Sequence, residues 1–132
     1  MGGAPNTVAQ YGALAAFEQP EFLQDYTARY EQRTRRTWEM IHAVPTVKCQ
    51  MPDAGYNLWI DVSQLDPAPK VCRYLIERAR VGVTEGRGFG LGGDGYLRII
   101  TASLPDDAAY YAAVERMCDA LANYPKDGYN EG

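Results

Sequence analysis

The chain of 132 residues is the size of one domain, and with 46% hydrophobic residues it carries enough apolar side chains for a buried core. Its formal charge of −4 argues against a nucleic-acid partner, and no apolar run approaches the roughly 20 residues needed to cross a bilayer. Met1-Gly2-Gly3-Ala4-Pro5 shows no basic region followed by an apolar core, so no secretory leader is read there and a cytoplasmic location is expected.

Residues 7–19 read as a helix capped by Asn6 or Thr7, with Val8, Tyr11, Leu14 and Ala15 on one face. Gln19-Pro20-Glu21 breaks it, and proline suits the first turn of a second helix running to Ile41 or His42. Phe22, Tyr26 and Tyr30 form an apolar stripe there, continued by Trp38 and Ile41. Arg29, Arg33, Arg35 and Arg36, interleaved with Glu31, read as a solvated face with local ion pairs.

Val44-Pro45 ends this helix, and Val47 to Met51 alternates like a half-buried strand. After the turn Pro52-Asp53-Ala54-Gly55, Tyr56 to Val62 is a second strand rich in β-formers. Asp66 is the expected cap of a third helix with Pro67 in its first position, burying Cys72, Leu75, Ile76 and Ala79. Val81-Gly82-Val83 reads as a very short strand and Leu97 to Thr101 as the next. Ser103 to Asp106 resembles an S-x-x-D start to a last helix that buries Tyr111, Val114, Cys118 and Leu121. From Tyr124 a polar tail is expected to fray.

The resulting division is a helical connector over 1–46, a small α/β domain over 47–123 and a polar tail over 124–132. The predicted class is α/β: a two-layer module with a small mixed sheet, helices on one face and a long helical segment ahead of it.

Cys49, Cys72 and Cys118, spaced by 23 and 46 residues, fit neither a metal pattern nor a redox pair and read as reduced, mostly buried side chains. His42, the only histidine, falls near a helix end, where a cap or surface role is expected; zinc chemistry lacks ligands. Asp61 and Asp94 read as turn or surface residues, since nothing in the sequence fixes them near each other.

The most informative stretch is Gly86 to Ile100. Five of the thirteen glycines fall between positions 86 and 93, which requires unusual backbone angles or close approach by another group. The loop leads into a strand, whereas phosphate-cradling glycine motifs open a helix, so a tightly turned loop is expected. Arg98 follows, between Leu97 and Ile99. A guanidinium in an apolar strand must meet an acid, either a structural carboxylate or that of a ligand.

Four motifs in order resemble one family. Pro52-Asp53-Ala54-Gly55-Tyr56-Asn57-Leu58-Trp59-Ile60-Asp61-Val62 is similar to P-x-G-A-F-Y-L-W-x-D. Leu75-Ile76-Glu77-Arg78-Ala79-Arg80-Val81-Gly82-Val83-Thr84-Glu85-Gly86 is similar to L-L-E-x-A-x-V-x-V-x-P-G. Phe89-Gly90 followed by Gly93-Asp94-Gly95-Tyr96-Leu97-Arg98-Ile99 is similar to F-G-x-x-G-E-G-Y-x-R-I, and Gln10 to Ala16 to a Q-x-A-x-x-A-A helix. From about Asn6 to Leu121 the chain thus resembles the C-terminal segment of class I/II aminotransferases, pyridoxal-phosphate enzymes of fold type I.

The resemblance implies pyridoxal 5'-phosphate in the complete enzyme, an amino acid and a 2-oxo acid as substrates, and Arg98 as the residue that grips the substrate α-carboxylate. It implies a large domain as partner and a homo-oligomer. It assigns Gly86, Phe89 and Gly90 mainly structural loop positions. The family's cofactor lysine sits in an S-K-x-x-x-x-G-x-R motif, and Lys48, Lys70 and Lys126, the lysines of this chain, all lack that context. The chain therefore resembles a small domain plus the tail of the large one and is expected not to transaminate alone. Glu85 stands where the family usually has proline, and Arg87 where serine or threonine is common. The other readings are a stand-alone amino-acid-binding module using Arg98, without catalysis, and an interaction protein with no ligand.

Overall fold

The computed structural model describes residues 6–130, with the Phe22 side chain outside the description. The reading of Met1 to Pro5 and the place of Phe22 in the aromatic stripe lie outside the described residues.

Helix α1 spans Thr7–Phe17, and its cap is Asn6, whose side chain accepts a hydrogen bond from the Val8 amide at 2.8 Å. Its apolar residues find no cover: Val8, Tyr11, Leu14 and Phe17 are all exposed. Helix α2, Pro20–His42, is about 34 Å long at 1.5 Å per residue. The described side chains of its first turns, up to Arg29, are exposed, whereas Arg33, Thr34, Thr37 and Ile41 on one stripe of the second half are buried.

Strands β1 (Lys48–Cys49), β2 (Asn57–Asp61), β3 (Thr84–Glu85) and β4 (Tyr96–Ile100) form one sheet in the order β1-β2-β4-β3. The α/β two-layer class holds, but every pairing is antiparallel, so the sheet is not mixed. The reason is topological. β2 and β3, linked through a helix, both run antiparallel to β4, hence in the same direction, and β4 occupies the slot between them.

Leu58, Ile60 and Leu97 point to the face covered by the helices and are fully buried, each contributing about 2 kcal/mol of hydrophobic stabilisation. Across from them lie Ile41, Val71, Leu75, Met117 and Leu121. Helix α3, Ala68–Tyr74, continues into a π-helical turn at Leu75–Ala79 that ends on Arg80 in the left-handed region, φ 57°. Its buried residues are Ala68, Val71, Tyr74, Leu75 and Ala79; Ile76, expected in the core, is half-exposed. The wide turn and the docking of the C-terminal segment against Tyr74 set this rotation.

Asp66 does not cap α3. Its carboxylate accepts from the Tyr124 hydroxyl at 2.8 Å, the Tyr129 amide at 2.9 Å and the Lys70 amine at 3.1 Å. The segment expected to fray is therefore tied down: Tyr124 and Tyr129 are buried, their rings 4.7 and 5.2 Å from that of Tyr74. Helix α4, Asp107–Ala122, is capped by Asp106, which accepts from the Ala108 amide at 2.9 Å, and not by Ser103. Its core stripe is Tyr110, Val114, Met117 and Leu121. Tyr110 takes the place expected for Tyr111 because its hydroxyl meets Thr37 Oγ1 at 2.9 Å.

Candidate functional site

The helices cover one face of the sheet; the alternate residues of its strands form the other. By register, Trp59 lies opposite Arg98, Asn57 opposite Ile100, Asp61 opposite Tyr96 and Thr84 on the far side of Arg98. Thr84 is exposed and the others are only partly buried, so this face carries the half of each strand that the core does not use. A hollow of about 370 Å³ beside Trp59 is lined by Lys48, Asn57, Asp61 and Tyr96, among others.

The glycine loop arrives at this face. It runs from β3 through two short 3-10 turns, Gly86–Phe89 and Leu91–Gly93, into β4. Gly90 (φ 123°) and Gly95 (φ 78°) adopt backbone angles that side chains resist. Gly86 and Gly93 meet a different demand: a Cβ on Gly86 would lie 2.4 Å from the Gly93 carbonyl oxygen and 2.9 Å from the Trp59 ring. Both causes anticipated for the glycine cluster are present.

Closing the loop in this way places the Phe89 ring over Arg98, with the guanidinium carbon 4.0 Å from the ring centre. Trp59 meets the Phe89 ring edge-on at 5.6 Å, and the Trp59 ring in turn lies 6.5 Å from that of Tyr96. Arg98 Nε is buried without a hydrogen-bond partner, and among the described residues no carboxylate pairs with this guanidinium. Asn57 Oδ1, diagonal to it on the same face, is likewise buried and unpartnered. A cation without an internal acid, beside a hydrogen-bond acceptor without a donor, is suited to an anionic ligand that also donates.

The other candidates lie elsewhere. Asp61 accepts from the Ser63 hydroxyl and amide at 2.6 and 3.0 Å, and these bonds hold its carboxyl below the usual range; Asp94 is exposed in the loop. His42 is exposed at the end of α2 and stacks on Trp38 at 4.9 Å. Cys49, Cys72 and Cys118 are free thiols, each raised to about 11 chiefly by burial. Among the described residues no cluster of His, Cys, Asp or Glu is placed to hold a metal ion, and no helix is long and apolar enough to cross a membrane.

The arginine read as part of a solvated face is a second finding. Arg33 is 2% exposed. It donates to the carbonyls of Thr101 at 3.0 Å and Leu104 at 2.6 Å, pairs with Asp107, and lies 4.6 Å from the Tyr110 ring centre. The available signal was spacing: Arg33, Thr37 and Ile41 stand in one line at i, i+4 and i+8. Arg29, Arg35 and Arg36 remain at the surface, Arg36 3.9 Å from the Tyr111 ring.

Residues 3–117 match the model of the family described as aminotransferase class I and II. A probable aspartate/prephenate aminotransferase of Aquifex aeolicus is 27% identical over 91% of this chain and 29% of its own length. The alanine aminotransferase of Pyrococcus furiosus superposes with a TM-score of 0.77 at 21% identity, over 89% of this chain and 30% of that one. Cystalysin from Treponema denticola, whose crystal structure contains pyridoxal 5'-phosphate, superposes with a TM-score of 0.73 at 23% identity, over 90% of this chain and 31% of that one. The chain thus spans under a third of the length of these relatives.

Proposed function

The chain belongs to the class I and II aminotransferases, and from that premise we propose that it is the C-terminal segment of a pyridoxal-phosphate-dependent enzyme in which Arg98 grips the α-carboxylate of an amino acid or 2-oxo acid. The observation that carries this reading is the Arg98 guanidinium, held over Phe89 on the open sheet face with no carboxylate paired to it among the described residues. A planar fork matches a planar carboxylate in a two-pronged contact, and such a grip orients the remainder of the substrate.

The cofactor of the family acts as an electron sink. The residues of this chain do not fit its attachment. Lys70 is engaged by Asp66 at 3.1 Å, Lys48 lies at the sheet edge opposite Asp61, and Lys126 is exposed in the C-terminal segment. We therefore assign this chain the substrate-carboxylate grip alone and expect no transamination from it in isolation.

In this reading residues 1–46 connect to a large domain and 47–123 form the small domain. The uncovered apolar side chains of α1, together with Leu23 and Tyr26 of α2, supply the surface that a further domain or a second subunit would cover. Three free cysteines accord with a reducing, cytoplasmic setting.

Titration of the chain with 2-oxoglutarate, followed by NMR of 15N-labelled arginine side chains, tests the reading. The expected result is a saturable shift at Arg98 and loss of binding in Arg98→Ala. Unchanged binding in Arg98→Ala would overturn it. Transfer of the amino group of an added amino acid to 2-oxoglutarate by the isolated chain, in the presence of pyridoxal phosphate and above the rate without protein, would overturn the expected inactivity.

A further inference from the structure

Arg98 Nε, buried and unpartnered, and Phe89, large, apolar and 51% exposed, are neighbours whose individual oddities have one explanation. A phenyl ring that leaves half its surface in water is poorly placed to serve the core. Its ring meets the guanidinium at 4.0 Å and the Trp59 ring, edge-on, at 5.6 Å. Trp59 is itself held, since its ring atom lies so close to Gly86 that a single Cβ there would meet it at 2.9 Å. Gly86, Trp59, Phe89 and Arg98 therefore form a stack in which each member limits the next.

Resting on the reading of Arg98 as the carboxylate grip, we propose that Phe89 is the positioning residue of this site. Its ring pins the guanidinium so that Nε is withheld and only the two terminal nitrogens are offered, end-on, to a carboxylate. An arginine has two two-pronged ways to bind a carboxylate, one through both Nη atoms and one through Nε and one Nη. Burial of Nε removes the second. What remains is a single approach direction, which is what orienting a substrate requires. The ring face also favours the cation over it while leaving the in-plane N–H edge free.

The test uses the full chain with 15N-labelled arginine, and acetate as the probe. The Arg98 Nε–Hε signal is assigned by its disappearance in Arg98→Lys. Two readouts follow it: solvent exchange of Hε without ligand, and its shift during acetate titration. Phe89→Leu is expected to speed Hε exchange at least about tenfold and to weaken acetate binding about three- to fivefold, the equivalent of one exposed cation–π contact. Phe89→Tyr is expected to keep both within about twofold, and thermal midpoints are expected to stay close, because half the ring is already solvated.

Exchange and affinity that are both unchanged in Phe89→Leu would overturn the positioning role while leaving the Arg98 grip standing. Loss of both readouts in proportion to a fallen thermal midpoint, with no rescue by Phe89→Tyr, would also overturn it, by showing a merely structural ring. An Arg98 signal that ignores acetate in the unmodified chain would instead overturn the grip itself.

Discussion

Gly86 and Gly93 pack backbone against backbone: a Cβ on Gly93 would lie 2.1 Å from the carbonyl oxygen of Gly86, a distance no side chain tolerates. Gly86→Ala and Gly93→Ala are each expected to cost about 2 kcal/mol or more, as overpacking against rigid backbone does. Gly88 and Gly92 have open space at the same point. Gly88→Ala and Gly92→Ala should be neutral or stabilising within about 1 kcal/mol. Urea midpoints of the four variants check this, and equal losses at all four positions would contradict the contact.

Arg33 joins α2 to the loop before α4, and its removal strands two carbonyls. Arg33→Met is expected to lose about 3 kcal/mol, because the Thr101 and Leu104 acceptors lose a charged donor. Arg33→Lys should be costly as well, since one ammonium cannot reproduce the fork that reaches both carbonyls and Asp107. Asp107→Asn should cost less, as that carboxylate is half-exposed. Chemical denaturation of the three variants gives the ranking.

Asp66 makes the C-terminal anchor pH-dependent. The Tyr129 amide foremost, with the Tyr124 hydroxyl and Lys70, holds its carboxyl below the usual range. With the folded value depressed, the unfolded chain takes up the proton first. The stabilisation is therefore complete above the ordinary carboxylate value of about 4 and lost as pH falls below it through the folded value. Hydrogen exchange should show the Tyr129 amide protected at pH 6 and losing protection only after pH has fallen below the ordinary carboxylate value, as Asp66 takes up its proton. In Asp66→Asn the same amide is expected to have low protection throughout.

The three thiols should react slowly. At about 11 each, chiefly through burial, the thiolate fraction at pH 8 is about two hundredfold below that of a free cysteine near 8.5. Iodoacetamide labelling in native buffer should lag free cysteine by about that factor. It should become fast in denaturant. Rapid native labelling at any of the three would contradict the burial.

Much of this arrangement was legible in the sequence. Arg98 stood out because a charge between Leu97 and Ile99 violates a strand's apolar pattern, and the glycine density announced both tight angles and close approach. Hydrophobic periodicity located α1 to α4 but registers only apolar side chains. It therefore passed over Arg33, whose burial depends on carbonyls some 70 positions away in the chain. The same blindness put Tyr111 on the core side of α4, where Tyr110 stands because of a hydroxyl partner on α2. Tyr124 and Tyr129 sit among Pro, Gly and Asp, a composition that reads as fraying. Only the docked Asp66 carboxylate and the Tyr74 ring give that segment a place.

The second half of α2 is riveted to the end of β4. Arg33 holds the Thr101 carbonyl, Thr34 Oγ1 meets Thr101 Oγ1 at 2.7 Å, and the Thr101 amide closes onto the Tyr56 carbonyl at 2.8 Å. Thr101 stands three residues from Arg98 on the same run of backbone. The second half of the helix and the end of the strand are thus fixed to one another by hydrogen bonds that meet at Thr101. The first half of the same helix leaves Leu23 and Tyr26 exposed. One element is therefore anchored beside the strand of Arg98 at one end and offers apolar surface at the other.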